Sequence, residues 1–147
     1  MGGRGSDAEP DRDLAPSGPT RRVLIVEDDE DTATVLEEFL QLKGHEAHAV
    51  HDGAEALEAA RTQPLDVVLL DLGLPRMNGY EVARALRREH GDAIVLIALT
   101  GYQEDEERLH EAGFDEHLLK PFDVELLSQR LATLPVRTHR ESHPDPR

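Results

Sequence analysis

The chain has 147 residues, a formal net charge of −15 and 38% apolar residues, which suits one folded unit with polar ends. The acidic balance argues against a nucleic-acid partner, whose affinity rests on Lys and Arg, and the absence of cysteine excludes disulfides, thiolate metal sites and cysteine catalysis. No run approaches the roughly 20 apolar residues of a membrane span and Met1 to Pro19 lacks a secretory core, so a cytoplasmic protein with no membrane partner is expected.

In chain order, residues 1–21 are rich in Gly, Pro, Asp and Arg with Leu14 as the bulky apolar residue. That composition cannot offset the entropy of ordering, and a disordered tail is expected. Val23 to Val26 is a continuous apolar run, the mark of a strand buried on both faces. Glu27 to Asp31 follow as its loop. Thr32 to Lys43 sets Val35, Leu36, Phe39 and Leu40 on one helical stripe, with Asp31 the best cap candidate and Gly44 the stop. A short strand Ala47 to Val50, a turn at Asp52-Gly53 and a helix Ala54 to Thr62 with Leu57 inward come next, ended by Pro64. Val67 to Leu70 is the third strand, Leu72 to Asn78 a loop, and Tyr80 to Glu89 a helix turning Val82 and Leu86 inward. Ile94 to Leu99 is a fourth buried strand, Thr100-Gly101 a turn, Glu104 to Ala112 a weaker helix stopped by Gly113, and His117 to Leu119 a last strand. Val124 to Leu134 closes the unit on Leu127 and Leu131. Residues 135–147, with three prolines, read as a flexible tail.

Five strands interleaved with five helices imply right-handed crossovers and a parallel sheet covered on both faces, an α/β doubly wound layer spanning residues 22–134. No G-x-x-x-x-G-K-[ST] loop is present, and the first turn is acidic where a dinucleotide fold needs glycine. In such sheets ligands gather beyond the carboxyl ends of the strands, so Glu27-Asp28-Asp29, Asp71 and Lys120-Pro121 converge there. Carboxylates so placed suit a hard cation, and a lysine balances an incoming phosphate. Asp29, Glu30 and Asp31 read instead as helix-entry residues. His45, His48 and His51 are spaced by three across a loop and an alternating strand, which does not converge them on one metal.

Val23 to Asp29 (VLIVEDD), Val67 to Gly79 (VVLLDLGLPRMNG), Ile94 to Gly101 (IVLIALTG) and His117 to Phe122 (HLLKPF) together resemble the receiver domain of two-component response regulators. The resemblance implies a flavodoxin-like five-stranded sheet of order 2-1-3-4-5. It also implies phosphorylation of Asp71 by a histidine kinase or phosphotransfer protein. Mg²⁺ would be held by Asp28, Asp71 and the Gly73 carbonyl, with Glu27 acting through water; Thr100 would contact the phosphoryl group and Lys120 pair with it. Lys120-Pro121 is a common cis peptide in the family. His117 stands where the family usually carries an aromatic switch residue, and Gly73 and Tyr102 occupy the positions two beyond Asp71 and Thr100. The implied output is a protein partner bound through the fourth helix, fifth strand and fifth helix, by a monomer or a phosphorylation-dependent dimer.

Two other readings stay open. One is a phosphate-independent interaction module. The other is an aspartyl-phosphate phosphatase acting on separate substrates, for which Gly73 offers no general acid. No output domain is expected after Leu134, and LTGYQ (Leu99 to Gln103) with AGFDEHLLKP (Ala112 to Pro121) resemble receivers attached to hybrid histidine kinases.

Overall fold

The computed structural model describes residues 20–73, 78–101, 103 and 105–134. The expected tails lie outside the described residues apart from Thr20 and Arg21, as do Leu74 to Met77, Tyr102 and Glu104. The elements are β1 (Arg22–Val26), α1 (Glu30–Leu42), β2 (Glu46–Val50), α2 (Gly53–Thr62), β3 (Val67–Asp71), α3 (Gly79–His90), β4 (Val95–Thr100), α4 (Glu106–Ala112), β5 (Glu116–Leu119) and α5 (Val124–Thr133). A single 3-10 turn, Gly91–Ala93, precedes β4. All strand pairs are parallel and the order is β2-β1-β3-β4-β5, as the resemblance implies.

Side chains alternate across a strand, which divides the core into two layers. Leu24, Val26, Val68, Leu70, Leu96 and Ala98 face α2, α3 and α4 through Ala56, Val82, Leu86 and Leu109. Val23, Ile25, Val67, Leu69, Ile97 and Leu99 face α1 and α5 through Leu36, Leu40, Leu127 and Leu131. The uniformly apolar runs are thus explained: both faces of β1, β3 and β4 are covered.

Three local expectations change. Helix α1 starts at Glu30 and its N-cap is Asp29, whose carboxylate accepts from Thr32 N at 2.9 Å and Thr32 Oγ1 at 2.6 Å. Asp31, the expected cap, lies inside the first turn. The buried stripe of α1 is Ala33, Leu36 and Leu40, while Val35 is 58% exposed. Val35 lies roughly 100° around the helix from Leu36, outside the face that meets the sheet. Arg21, assigned to the tail by composition, is buried. Its Nε donates to Leu131 O at 2.9 Å, its Nη2 to Leu134 O, and its backbone N–H to His45 Nδ1 at 2.9 Å. These bonds satisfy carbonyls at the end of α5 that the helix itself leaves open.

Gly113 ends α4 with φ of +105°, a left-handed conformation, and an added Cβ would sit 3.1 Å from Arg87 Nε. Arg87 needs that approach, because its guanidinium donates to the carbonyls of Gly91, Ile94 and Gly113 and pairs with Asp115 at 3.0 Å. One α3 side chain therefore fixes both the entry to β4 and the turn into β5.

Candidate functional site

The alternation that builds the core also builds the site. Continuing Val23-Ile25 gives Glu27, continuing Val67-Leu69 gives Asp71, and continuing Leu118 gives Lys120, all toward the α1–α5 side at the carboxyl ends of β1, β3 and β5. Lys120 Nζ lies 3.1 Å from Asp71 Oδ2 and 3.5 Å from Glu27 Oε1. Both carboxylates are buried, Glu27 being 2% and Asp71 5% exposed. The Lys120-Pro121 peptide is cis.

Each acid is held by neighbouring backbone. Asp71 Oδ1 accepts from Gly73 N at 2.8 Å, and Glu27 Oε2 accepts from Asp29 N at 3.1 Å. Glu27 Oε1 is buried without a hydrogen bond and has the Lys120 ion pair. Burial pushes the Glu27 carboxyl above its ordinary range, and the neighbouring Asp71 adds to the shift. Burial alone would lower the Lys120 ammonium, but its bond and attraction to Asp71, with Glu27 behind, outweigh that and raise it.

All donors at this point are oxygens, and two carboxylates against one ammonium leave one negative charge. With Glu27 Oε1 lacking a hydrogen bond, that donor set fits a hard divalent cation such as Mg²⁺. Among the described residues no group of three Asp, Glu, His or Cys side chains surrounds a common point. Asp28, the expected direct ligand, is exposed, and Glu27, the expected outer one, is the acid that lies against the Asp71–Lys120 pair. Asp28 follows Glu27 where the chain leaves β1, so the two side chains leave the backbone in different directions.

Thr100 closes β4, is 1% exposed, and accepts through its carbonyl from Lys120 N at 2.7 Å. The β4–β5 register pairs Ala98 with His117 and Thr100 with Leu119. His117 therefore lies on the Thr100 side of the sheet, one step back. It lines a cavity of about 300 Å³ with Glu106, Leu109, His110, Phe114 and Glu116. On the opposite side a groove of about 580 Å³ opens beside Lys120, lined by Asp31, Thr32, Val35, Leu36, Pro121, Phe122 and Val124.

A family model described as the response regulator receiver domain matches residues 23–132. The chain belongs to this family. Response regulator MprA of Mycobacterium ulcerans is 38% identical over 122 residues, covering 82% of this chain and 52% of MprA. The transcriptional regulatory protein CpxR of Escherichia coli K12 is 31% identical over 118 residues, covering 80% of this chain and 50% of CpxR. This receiver thus spans about half the length of the curated relatives it matches. Among solved structures, a CheY-like receiver domain protein of Methanospirillum hungatei superposes with a TM-score of 0.71 at 25% identity, covering 77% of this chain and 91% of that one. The BeF3-activated receiver domain of DrrB gives 0.67 at 30% identity, covering 77% and 95%. CpxR is named a transcriptional regulatory protein, whereas the expectation of no nucleic-acid partner rests on the acidic composition of this chain alone.

The described fold brings Glu27, Asp71 and Lys120 together, with Gly73 N on the Asp71 carboxylate and the Thr100 carbonyl on the Lys120 backbone N–H. Tyr102 lies outside the described residues. The three histidines go separate ways: His45 Nδ1 meets Arg21 N, His48 Nε2 meets Gln63 Nε2 at 3.2 Å, and His51 Nδ1 meets Glu27 O at 3.2 Å. The last contact escaped sequence reasoning, which tested the histidines only against each other. Its signal was the proximity of β2 to β1, since each ends beside the other in a 2-1-3 order. No helix among the described residues is long and apolar enough to cross a membrane.

Proposed function

We propose that this receiver is a cytoplasmic phosphorylation switch that accepts a phosphoryl group on Asp71 from a phosphohistidine of a kinase or phosphotransfer protein. The observation that carries this reading is the buried Asp71 with Lys120 Nζ 3.1 Å away and Glu27 beside it. An Asp71 carboxylate oxygen attacks phosphorus in line, the P–N bond breaks, and its electron pair returns to the imidazole nitrogen of the donor. Phosphoryl transfer needs positioning and charge neutralisation more than covalent assistance. The Gly73 N–H and Lys120 orient Asp71, while Lys120 faces the arriving phosphoryl oxygens. Mg²⁺, held by Glu27, Asp28, Asp71 and the Gly73 carbonyl, would neutralise charge on the transferring group. The groove between α1 and the β5–α5 loop, with Val35 and Phe122 in its walls, receives the histidine-bearing partner.

Thr100 then turns its hydroxyl to a phosphoryl oxygen, and His117 follows as the switch residue. That rearranges the α4, β5 and α5 face, where Leu119 and Leu126 are each 43% exposed, for a downstream protein or a second copy. The domain catalyses its own phosphorylation and dephosphorylation and acts on no separate substrate. Beryllofluoride with Mg²⁺ tests the switch: amide resonances of Thr100, His117 and Lys120 should shift together. A spectrum unchanged by it supports a phosphate-independent interaction module instead.

A further inference from the structure

Glu27 is oriented from three sides. Its backbone N–H donates to Val50 O at 3.0 Å, extending the β1–β2 ladder past the Val26–Val50 pair. Its side-chain Oε2 takes the Asp29 N–H, as described. Its own carbonyl is met by the next residue of the β2 turn, His51, whose Nδ1 lies 3.2 Å away. A carbonyl oxygen only accepts, so Nδ1 carries the proton and donates.

His51 is itself placed by a reciprocal cap at the start of α2. Asp52 Oδ1 accepts from Glu55 N at 2.8 Å, and Glu55 Oε1 accepts from His51 N at 2.8 Å. The imidazole thus stands on a fixed backbone and reaches across to the acidic loop. The peptide it holds joins Glu27 to Asp28. Holding that carbonyl restrains ψ of Glu27 and φ of Asp28, the two torsions through which the chain turns from β1 into the acidic loop, and so fixes how Asp28 is set relative to Glu27.

We propose that His51 is a positioning residue for the cation site, holding the Glu27–Asp28 peptide through its Nδ1–H so that the acidic pair presents a fixed geometry to Mg²⁺. This rests on the reading of Glu27, Asp28 and Asp71 as the cation ligands. His51 touches neither the cation nor the phosphoryl group; it acts through a ligand's backbone. Groups that orient metal ligands typically change affinity about 10- to 100-fold. A single 3.2 Å bond at the protein surface belongs at or below the lower end of that range.

The test is calorimetric titration of the 147-residue chain with MgCl₂, for wild type, His51→Phe, His51→Ala and His51→Asn. Asparagine places an N–H₂ donor on the δ atom where histidine has Nδ1 and should keep the bond. Phe and Ala are expected to raise the Mg²⁺ Kd about 3- to 10-fold, with His51→Asn within twofold of wild type and thermal midpoints in EDTA unchanged. Equal Kd in all four proteins, or Asn as weak as Ala, overturns the role of His51. Wild type that binds no Mg²⁺ overturns the cation site and the proposal with it. Should the Phe and Ala variants fold poorly, ¹⁵N spectra of the wild-type imidazole decide: a protonated Nδ1 supports the bond, and an unprotonated Nδ1 excludes it.

Discussion

Replacing Lys120 by methionine removes the charge between two buried carboxylates while keeping most of the aliphatic stem. At an effective dielectric of about 20, a unit charge attracts each carboxylate at these separations by roughly 5 kcal/mol before desolvation. Breaking a fully buried pair by removing one partner costs about 3–5 kcal/mol, whereas an exposed pair is worth about 0–1. The Lys120 side chain is 33% exposed and its partners 3% and 8%, so the expected loss is about 1–3 kcal/mol at pH 7 without Mg²⁺. The pH window follows from the shifts. Lys120 is raised, so its contribution is complete below its ordinary 10.5 and fades as pH rises through the folded value. Glu27 is raised above its ordinary 4.5, so the folded protein takes up its proton first as pH falls, and the variant recovers part of its deficit in mild acid. Urea unfolding of wild type, Lys120→Met, Asp71→Asn and the double variant measures the coupling, expected at about 1 kcal/mol or more. A deficit under about 0.5 kcal/mol, or strict additivity in the cycle, would refute the ion-paired site.

Other expectations are simpler to check. Asp29→Ala should lower the thermal midpoint by a few degrees through loss of the α1 cap, while Asp31→Ala should leave it nearly unchanged; equal effects would restore Asp31 as the cap. Burial, helped by the Arg21 charge, holds His45 below its ordinary 6.5. The unfolded chain then binds the proton first, so stability should fall as pH drops below about 6.5 and level off below the folded value. His45→Gln should flatten that slope in denaturation curves between pH 7 and 5, and an unaltered slope would contradict the buried neutral His45.

Much of the architecture was legible because β1, β3 and β4 are covered on both faces and read as unbroken apolar runs. The strand ends carried the site for the same reason: Glu27, Asp71 and Lys120 are the first polar residues after apolar runs, and their shared side of the sheet follows from a period of two. Helix faces were less legible. Val35 is as apolar as Leu36, and only the docking angle of α1 separates the buried residue from the one beside the groove. Arg21 reads as tail because its partners are carbonyls of Leu131 and Leu134, and backbone acceptors leave no trace in sequence. The reach of His51 to Glu27 O depends on a peptide orientation just past the strands, where alternation no longer governs direction.

The central claim is that Asp71 is the phosphoacceptor. Intact-mass analysis after incubation with acetyl phosphate and Mg²⁺ tests it most directly. Wild type should gain one phosphoryl group, with none gained when EDTA replaces Mg²⁺ and the group removed by hydroxylamine as an acyl phosphate, and Asp71→Asn should gain none. Equal labelling of Asp71→Asn, or no labelling of a folded wild-type chain that binds Mg²⁺, would contradict the account.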